Sequence, residues 1–81
     1  MNTGILWDLK TIDITVAAIM EAKGYYKKMY GITPDLCYYS DKSELPELPK
    51  YVTKELTVTA SPEILPGYLW LGVKKTEEEI Q

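Results

Sequence analysis

A single long amphipathic segment, residues 11–31, restricts the fold of this chain more than any other feature. With about 100° of rotation per residue, its apolar side chains share one broad helical face, and Ala17, Glu21, Gly24 and Lys28 lie on the opposite side. The apolar face contains Ile12, Val16, Ile19, Met20, Tyr26, Met29 and Tyr30. A chain with one such helix can cover only one face of a sheet.

Residues that suit helix termini mark both ends of this segment. Thr11 or Asp13 can serve as the N-cap, because their side chains accept backbone N–H groups. Gly31 suits the left-handed C-terminal position, and Pro34 prevents the helix from continuing. Gly24 in the middle costs about 1 kcal/mol relative to alanine, which predicts that another element packs closely against it.

Four other segments have the pattern of β-strands. "GILWDLK" (4–10) predicts a short first strand, with an extended arm as the alternative, and "DLCYYS" (35–40) predicts a strand rich in aromatic residues. "YVTKELTVTA" (51–60) alternates apolar and polar side chains, and "YLWLGV" (68–73) is the last strand. The proline-containing segment between the second and third strands is a loop, with room for one helical turn.

The order of these elements predicts an α+β fold in which one amphipathic helix packs on a three- or four-stranded sheet. The domain spans residues 1–73, and residues 74–81 form a polar tail. A first strand would run parallel to the second, because a helix connects them. The predicted core contains Val16, Ile19, Met20, Tyr26, Leu56, Val58, Leu69 and Leu71.

The last strand is apolar on both sides, although one helix covers only one face of the sheet. Alternation places Leu69 and Leu71 beneath the helix and leaves Tyr68 and Trp70 on the other face. Exposed aromatic rings are typical of contact surfaces, where tyrosine and tryptophan contribute most of the binding energy. The strand therefore predicts a partner-binding surface on the uncovered face.

The other strands are expected to complete this surface. Thr57 joins Tyr68 and Trp70 from the third strand, and either Tyr38 or Tyr39 must join from the second; Tyr39 is the residue assigned to the site. The alternative is that the N-terminal arm folds back over this face, so that both tryptophans of the chain are ordinary core residues.

Composition argues against catalysis. Histidine is absent, which removes the commonest acid–base group and metal ligand. Cys37 has no histidine to activate it and is expected to be a small buried hydrophobe. The sequence predicts no catalytic residue, no metal site and no cofactor, and we expect the chain not to be an enzyme.

A nucleic-acid-binding regulator is the alternative function. The helix interleaves Lys23, Lys27 and Lys28 with Tyr25, a pattern that can hold single-stranded nucleic acid through charge and stacking. The net charge of −3 and the absence of arginine disfavour this hypothesis.

Location is predicted from the cysteine content and from the absence of targeting signals. One cysteine cannot form an intramolecular disulfide, which suits a reducing compartment. No run approaches the roughly 20 apolar residues of a membrane span, and no signal-peptide pattern occurs at the N-terminus. The expected location is the cytoplasm (of the host, if the chain is viral), with a virion as the alternative and no membrane partner.

Residues 58–72, "VTASPEILPGYLWLG", resemble a strand–turn–strand segment of encapsulins and tailed-phage capsid proteins. In those proteins, too, a strand runs into Ser-Pro and a Pro/Gly turn before a short apolar strand. The resemblance implies an origin in a virus or a mobile element. It carries no capsid function or residue role to a chain of 81 residues. The predicted function is a small non-enzymatic intracellular interaction module that forms a homodimer or binds another protein.

Overall fold

One main helix and a four-stranded sheet form the structure, a computed structural model that describes residues 4–73. The predicted α+β class and the predicted element order are confirmed. The predicted polar tail at 74–81 lies outside the described residues. The elements are β1 (Gly4–Asp8), α1 (Val16–Tyr30), β2 (Leu36–Ser40), α2 (Lys50–Thr53), β3 (Thr57–Ser61) and β4 (Tyr68–Gly72).

The strand order in the sheet is β1-β4-β2-β3. β4 pairs antiparallel with both β1 and β2, and β2 pairs parallel with β3. β1 and β2 therefore run in the same direction, as a helical connection requires, but β4 lies between them. The connection from β3 to β4 crosses the end of β2, which explains why residues 62–67 are too long for a tight hairpin.

Helix α1 begins later than the sequence predicts. Its N-cap is Thr15, whose hydroxyl accepts the N–H of Ala18 at 3.0 Å. The predicted caps Thr11 and Asp13 are wrong: the Thr11 hydroxyl instead accepts the N–H of Asp13 at 3.3 Å in the preceding turn. The C-terminal prediction is confirmed, because Gly31 has φ 77° and donates its N–H to a carbonyl of the last turn at 2.7 Å.

Close packing at Gly24 is also a wrong prediction. A Cβ built at this position would meet no atom within 4 Å, and the residue is exposed on the outer side of α1. The glycine is thus a local weakness in the helix rather than a contact point.

The hydrophobic core lies between the two helices and one face of the sheet. Five predicted core residues are fully buried, and Val16, Met20 and Val58 are partly buried against them. The sequence did not mark Ile14, Ala22 and Val52 as core residues. The buried core consists of Ile14, Ile19, Ala22, Tyr26, Cys37, Val52, Leu56, Leu69 and Leu71.

The predicted strand at 51–60 is wrong in its first half. Lys50–Thr53 forms the single helical turn α2, where the carbonyl of Pro49 accepts the N–H of Val52 at 3.0 Å. Leu56 continues this geometry by donating its N–H to the carbonyl of Val52 at 3.0 Å. Both side chains are buried, and a four-residue spacing fits a helical turn as well as an alternating strand. Only Thr57–Ser61 is a strand.

Candidate interaction surface

The sheet has a second face that neither helix covers. Buried residues of both helices belong to the same core cluster as Leu69 and Leu71, so the helices pack on the face to which these two leucines point. Residues between them in β4 point to the other side. We call this side the aromatic face, and it is defined by Leu6, Tyr38, Thr57, Thr59, Tyr68 and Trp70.

A single cross-strand row runs through the centre of the aromatic face. Leu6 of β1 is paired with Trp70 of β4, Trp70 with Tyr38 of β2, and Tyr38 with Thr59 of β3. Side chains in directly paired positions point the same way and lie close enough to interact. The rings of Tyr38 and Trp70 meet with centroids 5.7 Å apart and an interplanar angle of 37°. Both side chains are half-buried.

The indole of Trp70 lies across Gly4 of β1. A Cβ at Gly4 would fall 2.8 Å from Cη2 of Trp70 and closer still to Cζ2 and Cε2. No side chain other than hydrogen fits beneath the ring, so Gly4 is the residue that lets the indole lie against the sheet. An aromatic ring over a strand glycine covers the backbone where no side chain can. Trp70 is held between Gly4 and Tyr38.

The segment between β3 and β4 forms one wall of two grooves on this face. One groove, of about 480 Å³, separates Tyr38 and Trp70 from the chain at 60–64. The other, of about 260 Å³, lies beside Leu6 and Tyr68. Glu63 and Ile64 line both grooves, and Glu63 is the charged residue in each lining. Aromatic or aliphatic side chains line both grooves, and Glu63 gives each of them one negative charge.

Large apolar side chains at the rim of the aromatic face remain in solvent. Leu6 is 60% exposed and Leu65 is 68% exposed. An exposed leucine is ordinary when it is isolated, but these two flank half-buried Tyr68 and Trp70. A contiguous apolar patch of this kind is typical of a contact site.

Three of the four predicted partner-binding residues lie on the aromatic face: Tyr68, Trp70 and Thr57. The placement of Tyr39 is wrong. It pairs with Leu69 and packs against the core, whereas Tyr38 lies on the aromatic face. The inward position of Tyr39 could have been predicted from the sequence. Cys37 was expected to be buried, and alternation along a strand places residues 37 and 39 on the same side of the sheet.

The N-terminal residues do not cover the aromatic face within the described chain. Residues 4–8 are the edge strand β1, paired with β4 along its whole length. Trp7 points to the core side, where its ring lies 5.1 Å from that of Tyr25. The alternative of an arm folded over the second face is therefore wrong for residues 4–8, and Trp7 and Trp70 lie on opposite sides of the sheet.

The lysine and tyrosine residues of α1 do not converge on one surface. The Nζ of Lys23 lies 3.1 Å from Oε1 of Glu55, and both residues line a shallow groove together with Lys27. Tyr25 lies on another side of the helix, against Trp7. Lys28 is exposed on the outer surface of α1. The charge of Lys23 is thus paired with that of Glu55. Tyr25, the ring predicted to stack on a nucleic-acid base, lies away from Lys23 and Lys27.

The cysteine of this sequence is not placed as a nucleophile. Cys37 is fully buried, and burial raises the pKa of its thiol to about 12, so the nucleophilic thiolate is suppressed. Residues 4–73 contain no cluster of three or more histidine, cysteine, aspartate or glutamate side chains arranged to bind a metal ion.

Comparison with known proteins gives no relative from which a function could be transferred: no family model, curated protein or solved structure matches the chain.

The helices described within residues 4–73 are too short or too polar to cross a bilayer.

Proposed function

We propose that this chain is a small non-enzymatic protein-interaction module that self-associates, and that the aromatic face is a contact surface for a protein partner. The observation that carries the proposal is the Tyr38–Trp70 ring pair, which is half-buried on the sheet face that neither α1 nor α2 covers. Tyr68 and Thr57 extend the surface on either side of this pair.

An aromatic surface left in water is unfavourable in free energy. Rings and leucines left in water forgo roughly 25 cal/mol for each Å² of apolar area that a partner would remove from solvent. A chain of 81 residues also buries a smaller fraction of its surface on folding than a larger domain does, so association can add to a modest stability. Tryptophan and tyrosine are the residues in which interface binding energy concentrates.

We further propose a reducing location such as the cytoplasm, of the host if the chain derives from a virus or a mobile element. The single cysteine supports this, because it is buried and has no partner cysteine within the sequence.

Trp70→Ala tests the contact surface. We expect it to reduce self-association, capture of a protein partner, or both, as measured by light scattering and by affinity capture from the native host. Met29→Gln is a control, because Met29 is a large apolar residue in contact with solvent but lies on α1, away from the aromatic face. If Trp70→Ala leaves assembly state and capture unchanged and only lowers the free energy of unfolding, the ring is a structural residue and the proposal fails.

A second variant separates surface chemistry from stability. Leu6→Thr combined with Leu65→Thr removes two exposed apolar side chains from the rim, and neither residue contributes to the buried core. We expect the double variant to unfold at the same denaturant concentration as the natural chain and to bind its protein partner more weakly. Unchanged binding would place the contact elsewhere.

A further inference from the structure

Strand β3 leaves two sets of backbone hydrogen-bonding groups free at the edge of the sheet. Thr57 donates its N–H to the carbonyl of Asp35 at 2.9 Å, and the carbonyl of Ser61 accepts from the N–H of Asp41 at 3.2 Å. In a parallel pair, alternate residues of each strand face the partner, so Thr57, Thr59 and Ser61 face β2. The N–H and C=O groups of Val58 and Ala60 therefore point outward, and no hydrogen bond among residues 4–73 uses them.

We propose that a second copy of this chain binds along this edge, with β3 of each copy paired antiparallel around a two-fold axis at Thr59. Val58 then lies opposite Ala60 of the second copy, and the reverse pair follows by symmetry. Each pair exchanges two N–H to C=O bonds, so all four outward donors and all four outward acceptors are used. The result is one continuous eight-stranded sheet, in which Thr59 lies opposite Thr59 of the second copy.

The neighbouring residues fix this register. A pairing centred on Val58 would place Ala60 opposite Leu56, whose N–H is already donated to Val52 at 3.0 Å. A pairing centred on Ala60 would place Val58 opposite Pro62, which has no N–H. The register centred on Thr59 satisfies every outward group of the strand.

The other edge of the sheet is less suited to a second copy. β1 carries the charged Asp8, and charged side chains on edge strands oppose pairing between molecules. β3 contains neither a charge nor a proline, and its sequence TVTAS has small or β-branched side chains throughout. An edge without such protection is open to strand addition.

This pairing rests on the proposed function, since it assumes self-association and specifies how the two copies associate. The row of Leu6, Trp70, Tyr38 and Thr59 ends at the β3 edge. In the dimer the row continues into the same four side chains of the second copy in reverse order. Two aromatic faces thereby become one surface on a single sheet, presented to a further protein partner.

Cysteine substitution tests the pairing directly. In the proposed register, the Thr59 Cα atoms form a non-hydrogen-bonded pair about 4.5 Å apart, within the range that a disulfide spans. We expect Thr59→Cys to become mostly disulfide-linked dimer in oxidised glutathione, which is reduced as the bond forms. Thr57→Cys is the matched control: Thr57 is exposed on the same strand, but its two copies would lie about 14 Å apart. The natural chain is a second control, since Cys37 is buried.

Equal cross-linking of the two cysteine variants would overturn the register, because it would reflect random collision. Thr59→Lys is an independent test, because it brings two ammonium groups together at the axis and should return the protein to single-chain mass. Thr11→Lys adds the same charge at an exposed threonine after β1, at the opposite edge of the sheet, and should leave the mass unchanged. If the natural chain dimerises and Thr59→Lys still does, the edge pairing fails while the interaction module stands. If the natural chain never rises above single-chain mass, self-association itself fails.

Discussion

Two glycine-to-alanine substitutions, Gly4→Ala and Gly24→Ala, add the same methyl group and are expected to change stability in opposite directions. At Gly24 the new Cβ meets no atom within 4 Å, and alanine is the better helix former. We expect the variant to gain about 0.5–1 kcal/mol in free energy of unfolding. At Gly4 the Cβ would occupy the space of the Trp70 indole.

Gly4→Ala should lower the free energy of unfolding, because the new methyl group displaces the Trp70 indole. The ring must leave the backbone of β1 and loosen its contact with Tyr38, whose ring centroid is 5.7 Å away. Forcing an extra carbon into a packed site typically costs about 1–3 kcal/mol. The two variants should therefore differ by about 1.5–4 kcal/mol in free energy of unfolding, from the same chemical change.

Urea unfolding followed by far-UV circular dichroism measures both values. A Trp7→Phe background isolates the fluorescence of Trp70 and keeps an aromatic ring next to Tyr25. In this background we expect Gly4→Ala to shift the emission to longer wavelength and to increase quenching by acrylamide, because the displaced ring enters water. A Gly4→Ala variant as stable as the natural chain, with unchanged Trp70 emission, would refute the account of how this ring is held.

Three further predictions concern other elements. Burial raises the thiol pKa of Cys37 from 9.0 to about 12, so the thiol form adds stability that is complete below pH 9 and is lost as the pH rises towards 12. In urea titrations, the difference in unfolding free energy between the natural chain and Cys37→Ala should therefore fall by about 1.4 kcal/mol per pH unit above 9, and a constant difference would contradict it. Thr15→Ala should cost about 1 kcal/mol in thermal or urea unfolding, because the N–H of Ala18 loses its acceptor; a neutral result would argue against this cap. Glu55→Gln should cost no more than about 1 kcal/mol and lose that effect in high salt, since the carboxylate that pairs with Lys23 is largely exposed.

Local chemistry explains which elements the sequence predicted. Gly31 at the end of α1 and the alternation in β4 depend on neighbouring residues alone, and the structure confirms both. The α2 turn escaped prediction because Val52 and Leu56 are four residues apart, a spacing that suits a strand and a helical turn equally. The prediction that Thr11 or Asp13 caps α1 was wrong, because Thr15 lies directly before the first helical residue and is the N-cap.

The aromatic face could be predicted only in part. Tyr68 and Trp70 followed from alternation within one strand, but Tyr38 and Tyr39 are adjacent and both aromatic, so pattern alone did not separate them. Strand order could not be predicted, because β4 inserts between β1 and β2 through contacts between residues 30 or more positions apart. The contact of Trp70 with Gly4 depends on that same long-range pairing.

Self-association can be tested by the molar mass of the protein in solution. Light scattering behind a sizing column should cover low micromolar to about 1 mM chain, so that an association worth as little as about 4 kcal/mol is seen. We expect a mass that rises with concentration from the 9.3 kDa of one chain to twice that value. A mass that stays at 9.3 kDa throughout would contradict it.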